Sequence, residues 1–195
     1  RERLGARDKT VFLYVGRVSV EKGLDVLMQS IRSVNETHGG DVQFWITGNG
    51  PYLKEIESLD LPNVVFTGEK RGAELAQIYA SADAFVFPSG TETFGNSLLE
   101  AMASGLPPIC TDSGGVTDYT VHNENALVCR YGDPDSLSQA IIDLLDPRLR
   151  DRIRRQALQT AGSRSWDAIF DSLIRHYVSA TAAVSAYQPA DVHTH

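Results

Sequence analysis

The chain has 195 residues, of which 42% are hydrophobic and 22% are charged, and this size and composition predict one globular domain that buries a full core. Its formal net charge of −7 and sequence pI of about 5.2 argue against nucleic acid and anionic membrane surfaces as partners, because both bind basic protein faces. An anionic ligand would therefore need a local cluster of basic groups.

Apolar, β-rich runs alternate along the chain with segments of helical periodicity. The predicted strands are Val11–Val15, Val42–Thr47, Val64–Thr67, Phe85–Phe87, Pro108–Thr111 and Asn125–Cys129. Helices are predicted from about Lys22 to Thr37, at Tyr52–Ser58, Ala73–Ser81 and Leu98–Ser104, and onward from about Pro134, Arg148 and Trp166. This alternation predicts an α/β fold, a doubly wound, Rossmann-like sheet of six parallel strands with helices on both faces.

Composition divides the chain into three expected segments. Residues 1–9 are charged and poor in apolar side chains, so we expect a leader or interdomain linker there. Residues 10–180 hold all the predicted strands and helices and form the expected ligand-binding domain. Residues 181–195 show neither helical nor strand periodicity and are expected to form a flexible C-terminal tail.

The two cysteines, Cys110 and Cys129, lie in apolar, strand-like surroundings. This setting predicts buried thiols instead of a disulfide framework or a metal site. Free thiols favour a reducing compartment, and the sequence has no signal-peptide pattern and no apolar run near the length of about 18 residues that a membrane span needs. We therefore expect a cytoplasmic protein.

The stretch at 85–105, FVFPSGTETFGNSLLEAMASG, holds the strongest functional signal. It predicts a buried strand, a loop of small residues and a helix that Asn96 or Ser97 caps. Backbone N–H groups at such a helix N-terminus point into the loop mouth and suit a phosphate. Two carboxylates, those of Glu92 and Glu100, flank the mouth.

The loop after the first predicted strand, GRVSVEKG, supplies two basic groups, Arg17 and Lys22. In the doubly wound order 3-2-1-4-5-6, the first and fourth strands are neighbours where the winding reverses, and ligands bind outside their carboxyl ends. We therefore expect this loop and the loop carrying Glu92 to converge. The planar fork of Arg17 and the point charge of Lys22 suit a diphosphate. The carboxylates would then accept hydrogen bonds from sugar hydroxyls, an arrangement that fits a nucleotide sugar.

These segments resemble a known family. The segments that carry this resemblance are GRVSVEKG, GNGP and TETFGNSLLEAMASGLP followed by SGG. The chain resembles the C-terminal, donor-binding domain of retaining GT-B glycosyltransferases of family four, the glycosyl transferases group 1, over about residues 10 to 180. The most specific part is the pair Glu92 and Glu100, with seven residues between them. The resemblance implies transfer of a hexose from a UDP- or GDP-sugar to an acceptor hydroxyl, with retention of configuration and without a required metal or other cofactor. The TETFGN segment is similar to members that use GDP-mannose, and UDP-sugars are an equal alternative.

The resemblance implies a role for each matching residue. Glu92 would meet hydroxyls of the donor sugar, Glu100 would meet those of the ribose, and Arg17 and Lys22 would hold the diphosphate. These four are the expected catalytic residues, and no protein nucleophile is expected on this domain. The expected substrate-binding residues are Gly16 and Gly48 for close backbone approach, Gly95, Asn96 and Ser97 through their amides, Lys70 through backbone that reads the base, and Phe94, which could equally pack under the loop.

A GT-B enzyme has two Rossmann-like domains with the active site between them, and the resemblance covers only the donor-binding one. We therefore expect an N-terminal acceptor-binding domain as a partner, with any peripheral membrane contact running through it, and no transfer by the chain alone. Two alternatives remain open: a module that senses a nucleotide sugar, and a non-transferase GT-B protein such as an epimerase. A nicotinamide oxidoreductase is disfavoured, because GRVSVEKG is not the required glycine fingerprint.

Overall fold

Six strands form one parallel sheet in the part of the chain that the computed structural model describes, residues 1–164 and residue 174. The strands are β1 (Thr10–Val15), β2 (Val42–Thr47), β3 (Val64–Gly68), β4 (Ala84–Phe87), β5 (Pro108–Thr111) and β6 (Leu127–Cys129). Their order is β3-β2-β1-β4-β5-β6, and every neighbouring pair is parallel. The predicted doubly wound order is confirmed, with β1 and β4 adjacent at the point where the winding reverses.

Helices cover both faces of this sheet. They are α1 (Leu24–His38), α2 (Leu53–Glu57), α3 (Gly72–Ser81), α4 (Asn96–Ala103), α5 (Pro134–Asp143) and α6 (Pro147–Gly162). Successive strand residues point to opposite faces, so Phe12 and Phe44 join a core cluster with α1, α2 and α5, while Leu13 and Phe85 join a second cluster with α3 and α4. Burial on both faces explains why β1 and β4 read as continuous apolar runs.

The first helix begins two residues later than its predicted start. Val20–Lys22 forms a separate 3₁₀ turn, and α1 begins at Leu24. Gly23 separates them with a φ of +69°, and a Cβ atom there would lie 2.4 Å from the carbonyl oxygen of Pro88. This close approach brings the loop after β1 against the end of β4 and leaves Lys22 outside the helix.

The sixth strand is shorter than predicted, because Asn125 serves a turn. Its side-chain oxygen accepts from the Val121 amide at 2.7 Å, and its side-chain nitrogen donates to the Tyr119 carbonyl at 2.8 Å. The strand therefore begins at Leu127.

Residues 1–9 lie against the sheet domain. Arg1 forms an ion pair with Asp83 at 2.8 Å, Gln43 donates to the Leu4 carbonyl at 3.0 Å, and Ala6 is fully buried. Their role as a linker stays a prediction, as do the domain limits at 10–180 and 181–195. The helix predicted from about Trp166 lies outside the described residues.

Cys110 and Cys129 are free, buried thiols, as predicted. Burial raises the pKa of each to about 12. Within the described residues, no helix is both long enough and apolar enough to cross a membrane.

Candidate functional site

Two adjoining cavities open at the carboxyl ends of the central strands. The first, of about 350 Å³, is lined by Tyr14, Val15, Gly16, Arg17, Glu21, Lys22, Phe87, Ser89, Glu92 and Ser97. The second, of about 300 Å³, is lined by Val15, Gly16, Arg17, Thr47, Gly48, Asn49, Glu69 and Lys70. Both share the segment at 15–17. The loops after β1 and β4 therefore meet at one cleft, as the topology requires.

Backbone contacts hold the loops after β1 and β2 together. The Val18 amide donates to the Asn49 carbonyl at 2.9 Å, and the Tyr52 amide donates to the Val18 carbonyl at 3.1 Å. Gly48 has a φ of +141°, and a Cβ atom there would lie 1.9 Å from the carbonyl oxygen of Gly16. The two glycines therefore pass in direct backbone contact, and no side chain fits between them at position 48.

The loop after β4 rests on the segment that follows β5. The Gly115 amide donates to the Glu92 carbonyl at 2.8 Å, and the Tyr119 hydroxyl donates to the Phe94 carbonyl at 2.8 Å. The Phe94 and Tyr119 rings pack with centroids 6.2 Å apart. Phe94 is thus held under the loop and does not line either cavity.

An ion pair crosses the first cavity. The Lys22 ammonium donates to Oε1 of Glu92, and the two side chains are only 22% and 26% exposed. Partial burial strengthens their attraction compared with a pair fully in water. Arg17 lies exposed at the rim that both cavities share.

Tyr14 supports the backbone that carries Arg17. Its hydroxyl donates to the Arg17 carbonyl at 2.8 Å, and the residue is only 2% exposed. Burial raises the pKa of Tyr14, and the charges of Glu92 and Glu21 raise it further, so the hydroxyl stays protonated and remains a donor. We did not predict this residue from the sequence. Its one signal is a phenol among apolar neighbours, two residues before Gly16.

The helix after β4 is not capped as predicted. Gly95, with a φ of +75°, is the N-cap residue of α4, and no side chain makes a capping hydrogen bond. Asn96 and Ser97 therefore occupy the first turn, where backbone amides have no acceptor within the helix. Because Ser97 lines the first cavity, the partial positive charge of the α4 N-terminus lies beside it.

Glu100 lies on α4 outside the lining of the two cavities. Its side chain is exposed, and its Oε2 accepts a hydrogen bond of 3.0 Å from the Tyr79 hydroxyl of α3. Of the expected site residues, the structure gathers Gly16, Arg17, Lys22, Gly48, Lys70, Glu92 and Ser97 around the cavities. Phe94, Gly95, Asn96 and Glu100 do not line them.

The Ser89 hydroxyl is a further polar group at the first cavity, and the sequence analysis does not predict it as a site residue. The Ser89 hydroxyl is buried at the end of β4 and has no hydrogen-bond partner. Its place directly after Pro88 was the only available signal. Among the described residues, no group of three or more His, Cys, Asp or Glu side chains could hold a metal ion.

A doubly wound parallel sheet with a charged cleft at its switch point defines a Rossmann-like domain, a class of fold whose ligands bind at that cleft. Comparison with known families gives a more specific assignment. Residues 9–147 match the family Glycosyl transferases group 1, and the chain belongs to that family.

The chain is similar to several curated glycosyltransferases. A GDP-mannose-dependent alpha-mannosyltransferase of Mycolicibacterium smegmatis is 38% identical over 167 residues, which covers 84% of this chain and 42% of the relative. A protein of the same description from Corynebacterium glutamicum is 33% identical over 175 residues, covering 89% and 41%. The sulfoquinovosyl transferase SQD2 of Arabidopsis thaliana is 31% identical over 195 residues, covering 97% and 37%. The chain thus spans about two fifths of the length of these relatives.

Solved structures agree on the fold. Sucrose-phosphate synthase from Thermosynechococcus elongatus superposes with a TM-score of 0.79 at 26% identity, over 94% of this chain and 48% of that one. Anabaena HepE, crystallised with UDP and glucose, gives a TM-score of 0.78 at 23% identity, over 92% of this chain and 51% of the HepE chain. The architecture is that of one half of a GT-B glycosyltransferase.

Proposed function

We propose that the chain is the nucleotide-sugar donor-binding domain of a retaining glycosyltransferase, which transfers a hexose from a UDP- or GDP-sugar to an acceptor hydroxyl. The observation that carries the proposal is the single cavity lined by Arg17, Lys22 and Glu92 beside the N-terminus of α4. Relatives described as GDP-mannose-dependent and a structural neighbour crystallised with UDP support a nucleotide-sugar donor and leave the base open.

The diphosphate would lie between the loop after β1 and the start of α4. Arg17 would bind its oxygens through a planar fork, and the amides of Asn96 and Ser97 would donate from the opposite side. Lys22 would exchange the Glu92 carboxylate for a phosphate oxygen, since both are anionic acceptors. These groups would stabilise the charge that develops on the departing diphosphate, which is the main catalytic task in such a transfer.

Glu92, released from Lys22, would accept hydrogen bonds from hydroxyls of the donor sugar. Glu100 would accept from the ribose, and the backbone near Lys70, in the second cavity, would contact the base. The close approach of Gly16 and Gly48 would let the ligand lie against main chain.

The acceptor hydroxyl would approach on the face from which the diphosphate departs, and a phosphate oxygen would take its proton. No side chain of this domain is then needed as a nucleophile or a base, and Glu92 serves positioning and charge stabilisation. A glycosyl adduct trapped on Glu92 in the full-length enzyme would contradict this assignment. The acceptor would be bound by a second domain, so the chain alone should bind donor without turnover. We also propose a cytoplasmic location, which suits the free thiols of Cys110 and Cys129.

Calorimetric titration tests the proposal. The chain is titrated with UDP, GDP, UDP-glucose, GDP-mannose and NAD, and the titrations are repeated with Glu100→Ala and with Glu36→Ala, a control on the exposed side of α1. We expect one equivalent of a nucleoside diphosphate to bind, markedly weaker binding by Glu100→Ala, and no change in Glu36→Ala. Binding of NAD without binding of either diphosphate would reject the proposal. A sensing module or an epimerase would bind the same ligands. A sugar-transfer assay on the full-length protein distinguishes a transferase from both alternatives.

A further inference from the structure

We infer that Tyr79 is a positioning residue that orients the Glu100 carboxylate for the nucleotide ribose. The inference rests on the proposed function, in which Glu100 accepts hydrogen bonds from ribose hydroxyls. It adds α3 to a site otherwise built from α4 and the loops that follow the strands.

The Tyr79 hydroxyl joins two parts of α4. It donates to Oε2 of Glu100 at 3.0 Å and lies 3.3 Å from the carbonyl oxygen of Ser97. The shorter distance marks Glu100 as the main acceptor. The same hydroxyl therefore fixes the carboxylate relative to the first turn of α4, whose amides are proposed to bind phosphate.

Tyr79 is buried, whereas Glu100 is exposed. Tyr79 is 3% exposed and packs against Phe85 with ring centroids 6.0 Å apart, within the core cluster under α3 and α4. Glu100 is exposed, and an exposed carboxylate on a flexible side chain samples several rotamers that ligand binding must restrict. A hydrogen bond from a buried phenol selects one arrangement beforehand and leaves Oε1 available to a ligand.

The direction of this hydrogen bond is fixed. Burial raises the pKa of Tyr79, and the Glu100 charge raises it further, so the phenol stays protonated and donates to the carboxylate. With one oxygen held by the phenol, the carboxylate presents its remaining lone pairs to ribose hydroxyls, which are donors. The arrangement is suited to distinguishing a ribose from a sugar that lacks one hydroxyl.

The test is discrimination between ribose and deoxyribose. The wild-type chain, Tyr79→Phe, Glu100→Ala and the double variant are titrated with whichever of GDP and UDP binds more tightly, and with its 2′-deoxy and 3′-deoxy forms. Tyr52→Phe is the matched control, because Tyr52 packs against the cluster on the opposite face of the sheet. Phenylalanine keeps the Tyr79 ring, and thermal unfolding of each variant checks that the fold is retained.

We expect the wild-type chain to prefer the ribonucleotide over at least one deoxy form by about tenfold, the size of a hydrogen bond to a charged group. Tyr79→Phe should reduce this preference about threefold or more, and Tyr52→Phe should leave it unchanged. In the Glu100→Ala background, Tyr79→Phe should change the preference no further, because Tyr79 acts through Glu100.

A purely structural role for Tyr79 gives a different pattern. Equal loss of affinity for all three nucleotides in Tyr79→Phe, or an unchanged preference, would overturn the inference while the proposed function stands. A wild-type chain that binds the diphosphate without any preference for ribose would overturn the inference together with the role of Glu100. Failure to bind either diphosphate would overturn the proposed function itself.

Discussion

The Lys22 ammonium and the Glu92 carboxylate form an ion pair that joins the loop after β1 to the loop after β4. The pair neutralises both charges in the cleft of the ligand-free chain. In the proposed complex, a phosphate oxygen would compete with the Glu92 carboxylate for the Lys22 ammonium, so the carboxylate would oppose binding of the phosphates and would become available to the sugar once Lys22 releases it.

Glu92→Gln should therefore separate nucleotide binding from sugar binding. Removing the carboxylate frees Lys22 and removes a like charge from the diphosphate, so we expect free GDP or UDP to bind a fewfold more tightly, consistent with about 0.2–1 kcal/mol for a partly exposed pair. The additional affinity of the sugar nucleotide over the free diphosphate should fall, because glutamine is a weaker acceptor for sugar hydroxyls. Calorimetry of both ligands measures the two effects, and weaker diphosphate binding by Glu92→Gln would contradict the proposed exchange.

Arg17→Ala should weaken binding of the diphosphate selectively. Loss of a charge-assisted hydrogen bond costs about 1.5–3 kcal/mol, so the Kd for GDP or UDP should rise about tenfold or more, with a smaller rise for the corresponding monophosphate. Arg32→Ala, an exposed arginine on α1, is the matched control and should bind like the wild type. An equal rise in the Kd for the diphosphate and for the monophosphate in Arg17→Ala would contradict a contact between Arg17 and the second phosphate.

Gly48→Ala should destabilise the chain itself. The added Cβ would lie 1.9 Å from the Gly16 carbonyl oxygen, in a backbone conformation that alanine avoids. We expect the free energy of unfolding in urea to fall by more than about 2 kcal/mol. Gly40→Ala is the control, since a Cβ there meets no atom within 4 Å and no unusual φ is required, and it should be neutral or slightly stabilising. Similar stabilities for the two variants would contradict the backbone contact.

The strand order and the meeting of two loops could be predicted from the sequence. Continuous apolar runs identify strands buried on both faces, and the topology of a doubly wound sheet then places Arg17 and Glu92 at one cleft. The side-chain contacts within that cleft could not be predicted. Lys22 and Glu92 are 70 residues apart, and their pairing depends on a 3₁₀ turn that ends at Gly23.

Two tyrosines show the same limit. Tyr14 lies within a predicted strand and Tyr79 within a predicted helix, and both are buried. The sequence does not show what their hydroxyls contact. The Tyr14 hydroxyl reaches the Arg17 carbonyl because of the local direction of the backbone, and the Tyr79 hydroxyl reaches Glu100 because α3 packs against α4. The cap of α4 was mispredicted for a related reason, because the left-handed conformation of Gly95 replaces the side-chain cap expected from Asn96 or Ser97.

The buried thiols predict a loss of stability in alkali. The folded pKa of Cys110 is raised to about 12, above the value of about 8.5 for an exposed thiol. Because the pKa of the thiol is higher in the folded chain than in the unfolded chain, its contribution to the free energy of unfolding is fully present at pH values below the unfolded-state pKa. That contribution is lost as the pH rises toward the folded-state pKa of about 12. Urea unfolding at pH 8 and pH 10 should therefore show a smaller decrease for Cys110→Ala than for the wild type. Equal decreases, or rapid labelling of the native thiols at pH 8, would contradict their burial.

The most direct test is a crystal structure of the chain with bound GDP or UDP, in which the distances from the pyrophosphate oxygens to protein donors are measured. We expect hydrogen bonds of about 3 Å to the Arg17 guanidinium and to an amide in the first turn of α4, with the Lys22 ammonium on a phosphate oxygen. A nucleotide bound elsewhere, such as in the cavity of about 320 Å³ lined by Trp45 and Phe66, with Lys22 still paired to Glu92, would contradict it.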